Sequence, residues 1–199
     1  MKKLFMNKSI NFINNYYHYS EMDEQKLLYG LEGLYLTITK TIIILLLALI
    51  LNICKEVIFL IILFNIIRYT GFGFHAEKSY QCLIISTIHF VLLPFIMLKL
   101  SFSKEAIIMI SIICNINYFL FAPADTIKRP LPNKKKRIIR KISTILIGMI
   151  YTILIFIINN DTFTSLILSS LIIQAIVINP ITYKIFGQPY NNYKNLNQA

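Results

Sequence analysis

The sequence predicts an all-α, polytopic integral membrane protein of about six transmembrane helices, the first two short, preceded by an N-terminal amphipathic helix. Three observations predict it. Hydrophobic residues make up 56% of the 199 residues and the mean hydropathy is +0.64, more apolar than a soluble domain of this length. Apolar runs that approach or reach the roughly 20 residues of a membrane-spanning helix recur along the chain, separated by short polar patches. The net charge of +11 sits largely between those runs, as expected of loops held at an anionic leaflet.

Residues 1–40 form a cytoplasmic N-terminal region. Its beginning, "LFMNKSINFINNYYHYS", is too polar for the apolar core of a signal peptide. The following "SEMDEQKLLYGLEGLYLTITK" reads as an amphipathic helix lying at the interface. Ser20 can cap it, and Asp23 falls in the first turn, where the helix dipole favours an anion. Leu27, Leu28, Leu31, Leu34 and Tyr35 share one face at helical spacing.

Residues 41–185 form the transmembrane bundle. Two apolar runs, 41–54 and 57–67, meet at Lys55-Glu56 and fit either one long helix or two short spans joined by an outer turn. Charge decides between them. Six spans with both termini in the cytoplasm put 17 of the 20 Lys and Arg inside, whereas one long helix puts the five N-terminal ones outside. Short spans are accommodated by tilt, local thinning or packing behind other helices. Four further spans lie over 83–102, 106–122, 142–158 and 162–178. The loops 68–79 and 124–141 then face the cytoplasm, and residues 186–199 form a flexible cytoplasmic tail. The whole chain is one membrane domain.

One connecting stretch differs from the others. "RYTGFGFHAEKSYQC", residues 68–82, holds two glycines, one of the three histidines and one of the three cysteines. His75 and Cys82 are seven residues apart. On a continuous helix their Cα atoms would be about 10 Å apart, too far for the roughly 3 Å of a thiol–imidazole hydrogen bond. A working pair therefore requires the chain to leave the helix around His75, and Gly71 and Gly73 permit that. A helix starting near 77–79 sets Cys82 close to an N-terminal turn, whose dipole favours a sulfur anion. An adjacent imidazole would complete an activated nucleophile. The alternative is structural: a lone cysteine in an apolar helix is usually a small packing residue, which is how Cys54 and Cys114 read, and a boundary histidine is often only an interfacial polar group. Arg68 could anchor the end of its span or pair with a carboxylate, such as that of Glu77; Glu77 could also orient His75.

The stretch "GFGFHAEKSYQC", with Arg68 seven positions before His75, resembles the accessory gene regulator B family, integral-membrane cysteine endopeptidases of Gram-positive bacteria that mature quorum-sensing propeptides. "YGLE" at 29–32 is similar to that family's N-terminal signature, and "FAPADTIKRPLPNKKKRIIRK" at 121–141 to its Ala-Pro turn and basic loop. The resemblance covers the chain to about residue 185. Many members carry two adjacent glycines before the histidine; here Phe72 fills the earlier place and Gly73 the later. The resemblance implies that Cys82 and His75 are a catalytic dyad. It implies a propeptide partner with an acidic C-terminal tail, cleaved through a Cys82 thioester and released as a cyclic thiolactone or lactone. A homodimer in the bacterial cell membrane, among its lipids, is implied too.

The basic loop, with Lys128, Arg129, Lys134, Lys135, Lys136, Arg137, Arg140 and Lys141, either fixes topology or recruits the acidic tail. A small transporter and a non-catalytic scaffold are the competing readings. A coupled carrier would place ionisable residues within its spans, and these runs hold no central Asp, Glu, Lys or Arg. Three scattered His and three scattered Cys offer no metal-ligand set, and the sequence calls for no cofactor and no nucleic acid.

Overall fold

The computed structural model describes residues 8–13, 20–76, 78–126, 130–158 and 160–196. Glu77, Lys128 and Arg129 lie outside the described residues. The protein is an all-α membrane protein: among the described residues there is no strand, and five helices are long and apolar enough to cross a bilayer.

Helix α1 (Glu21–Ile50) joins the expected amphipathic helix and the first span into one element. Nothing in "LTITKT" breaks it, because the threonine hydroxyls are satisfied within the helix. Thr37 donates to Gly33 O at 2.8 Å and Thr39 to Tyr35 O at 2.8 Å. Ser20 caps its start, accepting from Asp23 N at 3.3 Å. The helix ends at Asn52, whose φ of 57° is the left-handed conformation that asparagine tolerates. Ile53 N reaches Ala48 O and Asn52 N reaches Leu49 O, the paired bonds of a Schellman ending. The turn therefore falls at 51–53, not at Lys55-Glu56. Those two residues open α2 (Cys54–Gly71), where Glu56 complements the helix dipole.

Helix α3 (Ser79–Lys99) widens to a π turn over Ile88–Leu92, just before Pro94. A proline at that position lacks the N–H for the usual i−4 bond and crowds the carbonyl there; the wider turn takes up the mismatch. Helices α4 (Lys104–Phe121), α5 (Lys134–Ile157) and α6 (Asp161–Ile178) start on side-chain caps from Ser103, Asn133 and Asn160. Two short helices follow, α7 (Pro180–Ile185) and α8 (Tyr193–Leu196).

Helix α6 is central, packed by α2, α3, α4 and α5. Eleven of its 18 residues are buried, against three of 18 in α4 and four of 24 in α5. Where lipid is as apolar as leucine, small residues and hydrogen bonds join the helices. Tyr118 donates to Leu171 O at 2.6 Å, Tyr151 to Leu63 O at 2.9 Å, and Asn115 to Thr152 Oγ1 at 2.9 Å. Gly148 lets Tyr118 and Asn115 close onto α5.

Candidate functional site

The site is built where α2 stops. Phe72 has φ 53° and ψ −140°, and Gly73 has φ 123°, so the chain swings out of the helix, and residues 72–76 are non-helical. Gly73 N donates to Ala124 O at 2.8 Å and Ala124 N to Gly71 O at 3.1 Å, a one-residue parallel bridge. Phe74 N donates to Val177 O at 2.7 Å.

The carbonyls of this segment are also engaged. Arg68 Nη1 donates to Phe72 O at 2.6 Å, and its Nη2 to Gly73 O at 3.0 Å and Phe74 O at 2.6 Å. Gln174, fully buried on α6, donates to Phe72 O at 3.1 Å, and Gln188 donates to His75 O at 3.0 Å. One guanidinium thus holds three successive carbonyls, a use of its planar fork that an ammonium cannot copy. Sequence reasoning offered a boundary anchor or a carboxylate partner such as Glu77 for Arg68; Glu77 lies outside the described residues, and the hydrogen bonds described for Arg68 go to these carbonyls, with its guanidinium 5.9 Å from the centre of the Phe64 ring.

Burial alternates from Phe74 to Ala76. Phe74 points inward, stacked on Phe186 at 4.5 Å with Tyr183 at its edge, and Ala76 is buried. His75, between them, is exposed. Its Nδ1 lies 3.1 Å from Ala76 O. A carbonyl only accepts, so this contact requires Nδ1–H and leaves the neutral ring's lone pair on Nε2. Helix α3 then begins at Ser79, and its N-cap residue, Lys78, makes no side-chain cap bond. Cys82 sits half-buried in the first turn, its N bonded to Lys78 O at 3.1 Å. The helix start matches the expectation from sequence, and the break before it removes the straight-helix geometry that would separate the two side chains.

The glycines have specific work. A Cβ on Gly73 would meet Arg68 Nη1 and lie 2.7 Å from Val177 O; one on Gly71 would meet Gln174 Nε2. Phe72 occupies backbone space that is otherwise nearly glycine's alone, costing about 1–3 kcal/mol. Gly73→Ala should therefore unfold at lower temperature and lose the Arg68 contacts. Phe72→Gly should stay within about 1 kcal/mol of the parent, because relieved strain offsets lost packing. A half-buried phenylalanine without such strain would cost up to about 3–5 kcal/mol. Thermal unfolding in nanodiscs distinguishes these outcomes.

Asp125 was not among the candidates, yet it is 2% exposed and organises the same end of the bundle. Its carboxylate accepts from the backbone N–H groups of Leu131, Asn192 and Tyr193, at 3.3, 2.9 and 2.8 Å. Those bonds offset the cost of burying an anion. The signal was present: Asp125 is the single acid between Glu105 and Asp161. Tyr183 donates to Ala124 O and Asp125 O, both at 3.1 Å, and Tyr190 to Phe121 O at 3.0 Å. Burial pushes the Tyr183 phenol well up, against the lowering effect of Arg68. Burial, then Tyr193 and Asp125, pushes Tyr190 up to about 12. Both phenols remain donors at neutral pH. Of the expected flexible tail, residues 186–199, the part from Gln188 to Tyr193 is thus tied to the site by Gln188, Tyr190, Asn192 and Tyr193.

The basic run divides. Arg140, no site candidate, donates to Tyr69 O at 2.6 Å and lies 4.4 Å over the Phe72 ring. Arg137 lies against the Tyr193 ring, and Lys134, Lys135 and Lys136 are exposed on the first turn of α5.

A family model described as accessory gene regulator B matches residues 6–178. An AgrB-like protein of Clostridium acetobutylicum is 33% identical over 168 residues, covering 84% of this chain and 80% of its own. An AgrB-like protein of Listeria innocua is 31% identical, over 85% of this chain and 83% of its own. The accessory gene regulator protein B of Staphylococcus aureus is 31% identical, over 77% and 81%. No solved structure matches the chain.

Proposed function

The chain belongs to the accessory gene regulator B family, and from that premise we propose that it is a membrane cysteine endopeptidase that cleaves and cyclises a quorum-sensing propeptide. Membership ties it to the accessory gene regulator system and to a propeptide partner. The finer reading rests above all on the break in helix between Gly71 and Ser79, which exposes His75 and starts a new helix three residues before Cys82.

In this reading His75 Nε2 takes the Cys82 proton and the sulfur attacks a carbonyl in the C-terminal half of the propeptide. Ala76 O, holding Nδ1–H, keeps the ring in the tautomer that can do so. The tetrahedral oxyanion is stabilised by N–H groups of the first turn of α3, which lack partners within the helix. The C–N bond breaks, His75 returns its proton to the leaving amine, and the remaining peptide stays on Cys82 as a thioester. A thiol or hydroxyl within that peptide gives its proton to His75 and attacks the thioester. The Cys82–carbonyl bond breaks, the sulfur recovers a proton, and a thiolactone or lactone leaves. Exchange between thioesters costs little, so the enzyme-bound thioester carries the energy for ring closure. Apolar helices around the site limit competing hydrolysis.

The loops 68–79 and 124–141 and the C-terminal segment lie on the cytoplasmic side. Contacts among Gly73, Ala124, Gln188 and Asp125 support a common side for the three, and the positive charge of α5 sets which side it is. Exposed Lys135 and Lys136 steer an acidic propeptide tail toward this end. The working unit is a homodimer.

The test is product analysis. Liposomes holding the full chain, given a propeptide with a central Cys, should release a C-terminal fragment and a peptide one water lighter than the linear acid. Linear acid alone would reject the cyclase reading, and no fragment at all would reject the peptidase.

A further inference from the structure

The seam between α4 and α5 carries two adjoining cavities of opposite character. At the end near the site, a cleft of ≈ 570 Å³ opens between Phe121 of α4 and the first two turns of α5, with Tyr190 and Tyr193 as its third wall. Lys134, Arg137 and Lys141 line it, and among the described residues no acidic side chain does. The three cations stand at i, i+3 and i+7, on one helix face. Arg137 is held against the Tyr193 ring at 3.1 Å, and Lys141 Nζ lies 5.0 Å from the centre of the Phe119 ring. Farther along the same seam is an apolar groove of ≈ 460 Å³, lined chiefly by Ile112, Ile116, Phe119, Ile145, Met149 and Ile153. Phe119, Ile116 and Ile153 are each more than half exposed.

We infer that this seam binds one anionic phospholipid, its phosphodiester against Lys134, Arg137 and Lys141 and an acyl chain in the groove. Dimensions support it. The 24 residues of α5 span about 36 Å, roughly 6 Å more than the hydrocarbon core of about 30 Å. The surplus is about one turn, which puts Lys134 to Arg137 at the level of the headgroups. Lys141 is one turn deeper, within reach of that level by its flexible stem. From Lys141 to Ile153 is about 18 Å along the helix, close to the half-thickness of about 15 Å that one leaflet's chains fill. Charge supports it as well. Three cations without an acid repel one another, and an anion between them relieves that repulsion. A zwitterionic headgroup brings a cation of its own. An acidic peptide matches the cleft but has nothing to place in the groove. The site stands apart from the peptidase reading, since neither His75 nor Cys82 contributes to it.

The full chain, purified in detergent, is to be titrated with phosphatidylglycerol and with phosphatidylcholine and read by native mass spectrometry. Phosphatidylglycerol should bind at one per chain, at least tenfold more tightly. The variant K134Q/R137Q/K141Q should lose that preference, while K135Q/K136Q, off the cleft, keeps it within twofold. Met149→Trp fills the groove with no change of charge and should weaken binding at least fivefold, so the result does not hang on the triple variant's folding. Equal binding of the two lipids would overturn the inference, as would an equal loss in K135Q/K136Q or an unaffected Met149→Trp. Displacement of the lipid by a short acidic peptide, one for one, would give the cleft to a peptide instead.

Discussion

Cys82→Ala is expected to abolish propeptide cleavage, with a fall of at least about 10⁴-fold, the scale on which loss of a covalent nucleophile acts. His75→Ala should fall by about 10²–10⁴-fold, the usual contribution of a positioned acid–base group. Both variants should insert normally, because neither side chain is fully buried: His75 is exposed, and Cys82 sits half-buried at a helix start. Cys82→Ser keeps the shape and loses the sulfur, so it should be nearly as inactive as alanine. The double variant should be no worse than Cys82→Ala, since an imidazole with no thiol to deprotonate has nothing to do. Cleavage at the parent rate by Cys82→Ala or Cys82→Ser, followed by mass spectrometry of the released C-terminal fragment, contradicts the nucleophile assignment.

The second large effect is expected at Arg68, as a positioning residue. Its guanidinium donates to the carbonyls of Phe72, Gly73 and Phe74. Each bond to a charged donor contributes about 1.5–3 kcal/mol, and a single ammonium nitrogen, with shorter reach and no planar fork, cannot satisfy all three at once. In Arg68→Lys the path of residues 72–76 should persist, because Gly73 N, Phe74 N and the Gln174 amide still hold it. The imidazole one residue farther on, however, loses its fixed place. A displacement of about 1 Å at a reacting group costs about 10²-fold. Arg68→Lys should therefore lower kcat by about that factor and move KM little. A raised KM with kcat intact would mean that Arg68 binds the substrate. Hydrogen exchange at residues 72–76 gives an independent readout, since the segment should lose protection while α2 and α6 keep theirs.

These expectations show which parts of the site could be read in advance. Gly71 and Gly73 announced a break in the helix, because glycine between two apolar runs is a local signal. The start of α3 at Ser79 was readable for a similar reason, from the return of the apolar run. The end of α1 was misplaced by a few residues. A Lys-Glu pair is the more visible interruption, but asparagine accepts the left-handed conformation, and Asn52 takes it. The continuity of α1 was hidden by the polarity of "LTITK", whose hydroxyls turn back onto their own helix. Asp125 stood out in the sequence as an isolated acid, but its contacts lay beyond reach for a different reason. Its partners at Asn192 and Tyr193 are far away in sequence, and no periodicity reports a contact of that range. The same holds for Gln188, which reaches His75 O from beyond the last span. The family resemblance joined His75 to Cys82. It did not contain the clamp of Arg68 on three carbonyls, which depends on backbone geometry.

The central claim is that a peptide is carried covalently on the sulfur of Cys82, and it can be tested by trapping that intermediate. A propeptide whose ring-closing Cys is replaced by Ala cannot cyclise, so its acyl group should remain on the enzyme. Intact-mass measurement of the reconstituted chain shortly after mixing should show an adduct of the N-terminal fragment, removed by hydroxylamine and mapped by proteolysis to Cys82. An adduct on Cys54 or Cys114, or cleavage with no adduct at any time point, would contradict the account.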